Sequence, residues 1–364
     1  MLHVITSTQR RGAETFAVDL AAALAARGLP SEVVALAPGR SVVPGGGTHD
    51  VPVLGGSPLA PATLRALRHR AAGAQVVVAH GSRTLPACAA ALAGRRGPVV
   101  YRSIGDPAAW AGGGLRRART RVLLGRMAAV TVLWPAAGEA VRALYGVPPD
   151  RIHVVPNGVP ADRCPVPDAA ARRAARRRLA LPEDAPVVAA IGALSAEKRV
   201  GDAVAACAAL DGVHLLVAGG GPERDALERQ ARQAAPGRVH LAGTLPGAGE
   251  ALAAADVVVL ASRTEGMPGV LIEAGLSGTP AVATDVGGVA QIVRDGETGV
   301  LVPPGDVPSL TAGLRRALGA SAALGAAARR HCLACFEIGP VADRWAALAT
   351  ALGARPDPGS GAAP

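Results

Sequence analysis

The sequence predicts two α/β domains in tandem, each built on a parallel sheet. Short apolar runs alternate with amphipathic helical stretches through almost the whole chain, which is the pattern of parallel strands joined by crossover helices. The alternation breaks once, at residues 156–167, in a segment rich in proline and turn residues. The 364 residues exceed one ordinary domain and suit two. Half the residues are hydrophobic but only 2% are aromatic, so Ala, Val and Leu must fill both cores.

In the first series, strands are predicted at residues 2–6, 32–36, 75–79, 98–101, 129–133 and 152–155. Helical stretches lie between them, among them 14–27 and 115–127. The break at 156–167 divides an N-terminal domain, 1–165, from a second one, 166–338. The second opens with a basic helix over 168–179 and continues with strands at 187–191, 213–218, 239–241, 257–260, 281–283 and 300–302. Helices fill its gaps, including 203–210 and 223–234. A last helix over 339–352 is expected to cross back to the first domain. The tail 353–364 is rich in Gly, Ala and Pro and is expected to be disordered.

Charge is unevenly placed. Residues 1–165 carry 19 Arg against 8 acidic residues, a net +11, whereas 166–364 are close to neutral at −1. A basic half suits an anionic lipid surface, an anionic substrate or nucleic acid. The scarcity of aromatics for base stacking argues against nucleic acid. Arg116, Arg117, Arg119, Arg121 and Arg126 cluster in a helix-like stretch, as a solvated face or an anion-binding one. Of 38 basic residues 37 are Arg, and Lys198 is the one Lys. An ammonium is a compact point charge, unlike the flat guanidinium fork, so its retention at one position hints at a use. No apolar run reaches the length of a membrane span, and residues 2–6 lack the basic flank of a signal peptide. Five scattered cysteines read as free thiols of a reducing cytosol; Cys332 and Cys335 form a CxxC that lacks a second pair.

In open parallel sheets, ligands bind beyond the carboxyl ends of the strands. The richest segment of that kind is residues 262–306, SRTEGMPGVLIEAGLSGTPAVATDVGGVAQIVRDGETGVLVPPGD. It follows the strand VVVL and offers Glu265, a turn Gly266-Met267-Pro268-Gly269, and a helix bearing Glu273. Pro and Gly suit a helix entry, whose free N–H groups and positive dipole end suit a phosphate. Glu265 at the mouth and Glu273 one turn inside can flank one elongated ligand; alone, the Glu-x7-Glu spacing also fits two ordinary helix acids.

This segment resembles the donor-binding signature of the retaining GT-B glycosyltransferases of family 4. The same pattern is matched by IGALSAEKRVGDAVAA (191–206), LLVAGGGPERDALE (215–228), VHLAGTL (239–245), ADVVVLAS (255–262) and DRIHVVPNGV (150–159). In the first half, RGAETFAVDLAAAL (11–24) matches the family's glycine loop and first helix. The resemblance implies a GT-B fold, two Rossmann-like domains facing across a cleft, with the donor held by the C-terminal one. It implies that Lys198 neutralises the donor diphosphate and that Glu265 sits by the transferred sugar. Backbone N–H groups of Gly266, Met267, Pro268, Gly269, Val270 and Leu271 (Pro268 itself having none) would hold sugar hydroxyls and phosphate. Glu273 would accept from the ribose hydroxyls, and Gly12 would let the backbone approach the diphosphate. Gly219 and Gly220 would line the nucleotide side; a plain strand-to-helix turn is the other reading. Glu14 is read as a helix start or an acceptor contact.

The chain departs from the family at two places. Ala193 stands where Arg is frequent, leaving Arg199 as a substitute cation, and Ile104 stands where a sugar-contacting His is common. His80, at the end of the preceding strand, is the nearest replacement, as a catalytic side chain or a polar cap; Arg102 and Asp106 are further candidates for the cleft. The reaction implied is retaining transfer from a nucleoside-diphosphate sugar to an acceptor hydroxyl, without a metal or other cofactor, in cell-envelope, polysaccharide or glycolipid synthesis. The basic half points to a carbohydrate or lipid-linked acceptor and to a cytoplasmic protein in peripheral contact with an anionic inner membrane surface. A catalytically silent nucleotide-sugar-binding scaffold, or an epimerase or hydrolase on the same fold, would use the same donor site.

Overall fold

The computed structural model describes residues 1–39 and 48–355. They form two compact units, one of residues 1–39, 48–158 and 338–355, the other of 159–337.

The first unit runs β1 (Leu2–Ser7), α1 (Gly12–Ala25), β2 (Glu32–Ala37), α2 (Pro61–Ala71), β3 (Val77–His80), α3 (Leu85–Ala91), β4 (Val99–Arg102), α4 (Pro107–Trp110), α5 (Gly114–Gly125), β5 (Ala129–Val132), α6 (Pro135–Tyr145) and β6 (Ile152–Val154). The second runs α7 (Ala169–Arg178), β7 (Val187–Ile191), α8 (Val200–Ala208), β8 (His214–Ala218), α9 (Arg224–Ala234), β9 (Val239–Gly243), α10 (Gly249–Ala254), β10 (Val257–Leu260), α11 (Gly269–Leu276), β11 (Ala281–Thr284), α12 (Val289–Ile292), β12 (Gly299–Val302), α13 (Val307–Gly319) and α14 (Ser321–Phe336). The chain then rejoins the first unit as α15 (Ile338–Ala351).

Among the described residues each unit holds one six-stranded sheet, in the order β2-β1-β3-β4-β5-β6 and β12-β11-β10-β7-β8-β9. Every pairing within the two sheets is parallel. Helices cover both faces of such a sheet, so its strands read as continuous apolar runs rather than alternating ones. VVVL of β10 and VVAAI of β7 are of this kind. On one face of the second sheet Val204 of α8 and Leu310 and Leu314 of α13 pack on Val188, Val217 and Val259; on the other, Ala175 of α7 and Ala251 and Ala254 of α10 pack on Val187, Ala189 and Leu216.

The strand orders locate the places where a ligand can enter. In the second sheet the chain builds outward from β7 to β9, then crosses over and builds outward from β10 to β12. The loops after β7 and β10 therefore diverge and leave a crevice between them. In the first sheet the same reversal falls between β1 and β3.

In the first unit α15 packs on α1, and Trp345, one of three tryptophans, is fully buried with Phe16, Leu20 and Leu24. Two expectations change. The helix α1 begins at Gly12, so Glu14 is its third residue and is buried rather than being its start. The tail is ordered at its beginning: Ala354 is buried in the core and the Arg355 N–H donates to the Gln75 side chain, because a small apolar residue here does find a surface to cover. The remainder of the predicted tail, from 356 on, lies outside the described residues.

Candidate functional site

The crevice of the second unit is lined by loop 192–199 after β7 and loop 261–268 after β10. Lys198 stands at the end of the first loop and Glu265 within the second. The Lys198 Nζ donates to Glu265 Oε1 at 2.7 Å, and Ser262 Oγ donates to the same oxygen at 2.6 Å. The Glu265 side chain is 8% exposed and that of Lys198 25%. A carboxylate so buried needs partners, and these two supply them.

Backbone contacts hold this pair in place. The Arg263 N–H donates to the Glu197 carbonyl at 2.8 Å, tying the two loops together. Thr284 Oγ1, at the end of β11, donates to the Ser262 carbonyl at 2.7 Å, and the Gly288 N–H donates to the Gly266 carbonyl at 2.7 Å. Gly287 has φ +57°, and a Cβ there would overlap the Glu265 carbonyl oxygen. Only glycine can take that position, so the 287–288 pair acts as a backstop for the Glu265 turn.

Helix α11 begins directly after this turn. Its N-cap is Pro268, and no side chain caps it. The Leu271 N–H turns back to the Pro268 carbonyl at 3.2 Å, and the start of the helix at Gly269 and Val270 is the end suited to an anion. Met267, Pro268 and Leu271 are buried, whereas Gly266, Gly269 and Val270 are half-exposed. Glu273 lies one turn into the helix, half-buried, near the Cys164 thiol, which burial first and Glu273 second push up to about 12. Behind it Gly275 lets α11 sit directly on the Cys332 side chain of α14. Cys332 is a buried packing thiol, and the five cysteines are all free.

The glycine loop 219–221 is built into the same unit. The Gly192 N–H donates to the Ala218 carbonyl at 2.9 Å, the Leu194 N–H to the Gly220 carbonyl at 3.0 Å, and the Glu223 N–H to the Leu194 carbonyl at 3.0 Å. A Cβ on Gly219 would overlap the Gly192 carbonyl oxygen, so these glycines serve the docking of one loop on the other. Arg199 caps α8 in a left-handed conformation, φ +47°. Its guanidinium grips Asp202 through two bonds of 2.6 and 3.1 Å, turned to its own helix.

The first-unit candidates are placed differently. Gly12 is exposed at the start of α1, with open space where a Cβ would be. His80 is enclosed: its Nε2 lies 3.0 Å from His3 Nδ1, and its ring stacks on Trp345 at a centroid distance of 6.4 Å. Burial above all, then His3 and Arg102, hold His80 well below its usual range; burial likewise takes His3 down to about 3. Arg102 points into this core rather than outward, with its guanidinium carbon 3.8 Å from the Phe16 ring centroid and a hydrogen bond to Asn157 Oδ1. Burial lowers it to about 9, still charged at neutral pH, and Glu14 acts against that shift. Asp106 accepts from the Ala108 N–H at 2.9 Å and caps α4. Ile104 packs toward Gly81 beside these residues.

The structure thus brings Lys198 and Glu265 into direct contact and adds Ser262 and Thr284, which sequence reasoning assigned no role. The signal for Ser262 was its place three residues before Glu265 at a strand end.

Family models match both halves of the chain. A model described as Glycosyltransferase Family 4 matches residues 10–163, and one described as Glycosyl transferases group 1 matches residues 185–320. The chain belongs to the family 4, group 1 glycosyltransferases. Among curated relatives of this chain, the D-inositol 3-phosphate glycosyltransferase of Geodermatophilus obscurus is 39% identical over 206 residues, 51% of this chain and 44% of that protein. The lipopolysaccharide core biosynthesis glycosyltransferase LpsE of Rhizobium meliloti is 39% identical over 132 residues, 36% of this chain and 39% of that one. The matched segments thus span less than half the length of these relatives. HepE of Anabaena, solved with UDP-glucose, is similar in structure with a TM-score of 0.83 over 96% of this chain and 99% of that one, at 21% identity. At that identity the likeness speaks for the fold, which is GT-B.

Proposed function

We propose that this chain is a retaining glycosyltransferase that moves a sugar from a nucleoside-diphosphate sugar to an acceptor hydroxyl in polysaccharide or glycolipid synthesis. The Lys198–Glu265 pair at the switch point of the second sheet, beside the uncapped N-terminus of α11, carries this reading. The named activities of the curated relatives and the UDP-glucose bound by HepE support it.

In this reading the diphosphate lies across the α11 N-terminus and Lys198. In the structure Lys198 donates to Glu265. A diphosphate offers the ammonium a stronger anionic partner and frees Glu265 to accept from sugar hydroxyls, while Ser262 keeps the carboxylate oriented. The acceptor oxygen bonds to the anomeric carbon as the bond from that carbon to the phosphate oxygen breaks. The acceptor's proton passes to the departing phosphate, on the same face of the sugar. Negative charge grows on the leaving group, and Lys198 and the helix end stabilise it without a metal. Glu273 holds the ribose. No step is assigned to His80, whose ring is enclosed. The basic half of the chain supports peripheral contact with an anionic cytoplasmic membrane surface.

The test is donor turnover in Glu265→Gln and Lys198→Ala. Loss of one preorganised electrostatic group costs about 10²–10³ in kcat. Wild-type rates in either variant would reject the assignment. Ala193 and Ile104 favour a second reading, a donor-binding protein without turnover; it predicts nucleotide binding with no product from any acceptor.

A further inference from the structure

The CxxC of helix α14 has no part in the donor site, and the fold gives its two thiols unequal surroundings. Cys332 is 1% exposed, with its Sγ seated where Gly275 of α11 has no Cβ. Burial first, then the neighbouring thiols Cys335 and Cys164, push it up to about 12. A thiol so held is protonated and inert at neutral pH. Cys335 is half-buried, whereas the other four cysteines are buried.

Cys335 also has a base. His331 stands one turn before it on the same face of α14, with Nδ1 3.7 Å from Cys335 Sγ, within the longer reach of sulfur. The other ring nitrogen, Nε2, lies 2.8 Å from the Gln291 carbonyl oxygen. A carbonyl only accepts, so Nε2 carries the proton and Nδ1 turns its lone pair to the thiol. The Phe336 ring meets the imidazole edge to face, with centroids 5.4 Å apart, and holds its plane. A nucleophile, a base and a group that orients the base therefore stand in one row. The base is needed here, because the C-terminal end of a helix gives a thiolate no help from the dipole.

The two thiols are also placed to join. Residues three apart on a helix have Cα atoms about 5 Å apart, inside the range of a disulfide. Their Cβ atoms stand about 5–6 Å apart and must close to about 3.5–4.5 Å. The pair lies at the end of α14, which stops at Phe336 before an extended Glu337, so closure disturbs the final turn and not the body of the helix.

We propose that Cys332 and Cys335 form a reversible dithiol site that reacts with small-molecule disulfides, with Cys335 as the entry and His331 as its base. Cys335 gives its proton to His331 Nδ1, and its sulfur attacks one sulfur of the disulfide RSSR. The S–S bond breaks, and the leaving sulfur takes the proton as RSH. Cys332 then attacks Cys335 Sγ, and its proton leaves with the second RSH. Two protein thiols are oxidised and one RSSR is reduced to two RSH. Closure draws the Cys332 sulfur off Gly275 and loosens the His331–Gln291 bond. Gln291 belongs to α12, whose N-cap, Gly288, donates to the Gly266 carbonyl. The dithiol is thus tied to α11 and α12, the two helices that frame the Glu265 turn.

The test is incubation of the folded full chain with glutathione disulfide, followed by thiol counting and peptide mapping by mass spectrometry. Wild type is expected to lose two thiols, mapped to a Cys332–Cys335 disulfide that dithiothreitol reverses. Cys332→Ala should stop at one mixed disulfide on Cys335, and Cys335→Ser should form neither product. His331→Phe should slow the first step at least tenfold. Hydrogen exchange should quicken at 269–276 and 287–292 in the oxidised chain. A wild type that stays reduced, that stops at a mixed disulfide, or that joins Cys164 to Cys332 would overturn the dithiol. Unchanged reaction of Cys335→Ser would overturn the entry, and an unchanged rate in His331→Phe the base. Unchanged exchange would overturn the tie to the Glu265 turn. Melting curves confirm that each variant is folded where it is compared, and none of these readouts depends on nucleotide binding.

Discussion

Lys198 and Glu265 satisfy each other inside the second unit, so each is a structural residue as well as a chemical one. Removing Lys198 leaves a carboxylate that is 8% exposed with Ser262 as its remaining side-chain donor. Hydrogen bonds to charged groups contribute about 1.5–3 kcal/mol, and Lys198→Ala should lower the unfolding free energy by that amount in denaturant titration. Destabilisation below about 0.5 kcal/mol would mean the pair is screened like a surface one. His3 and His80 give a pH signature. Both have folded pKa values below the ordinary 6.5, so the unfolded chain takes up protons that the folded one refuses. Stability is therefore full above pH 6.5 and falls as pH drops below it, by about 1 kcal/mol per pH unit for each histidine. Chemical denaturation between pH 7 and 4 should show this slope, and His80→Phe should flatten it; an unchanged slope would place the titration elsewhere. At this scale the sequence was partly legible. Lys198 stood out as the lone Lys and Glu265 by its motif, but His80 and Arg102 did not reveal their direction. Both end buried strands, and which face a strand residue takes depends on the packing of α1 and α15, which is set hundreds of residues apart in the chain.

Among the elements, the loops after β7 and β10 carry the site because the strand order reverses between them. Their precision depends on glycines that admit backbone where a side chain cannot go. Gly287→Ala adds an overlap with the Glu265 carbonyl to a positive φ, and the conformational part alone costs about 1–2 kcal/mol. The variant should be less stable by at least that much and should bind nucleotide more weakly than Gly237→Ala, where φ is +73° but the space is open. Equal effects of the two would mean that the backstop has no role beyond its turn. Helix α15 ties itself to α1 through Trp345, and Trp345→Ala should cost about 3–5 kcal/mol by calorimetry. The strands were readable as apolar runs because helices cover both sheet faces; β7 and β10 fall where the runs VVAAI and VVVL stand. The start of α1 was less readable, since Arg11 provides no side-chain cap to announce it.

At the scale of the whole molecule, the fold class follows from the alternation of strand and helix, but the strand order does not. The direction of each crossover decides which loops share a crevice, and no local pattern records it. The charge asymmetry, +11 against −1, belongs to this scale too. Binding to anionic vesicles should weaken steeply as salt rises and the charges are screened; insensitivity to salt would contradict an electrostatic contact. The central claim is that Lys198 and Glu265 form the diphosphate end of a nucleotide-sugar site. Its most direct test is thermal stabilisation of the purified chain by UDP-, GDP- and ADP-sugars, repeated with Lys198→Ala. The account predicts a clear shift with one nucleotide class that the variant loses. A shift that survives unchanged in Lys198→Ala would contradict it.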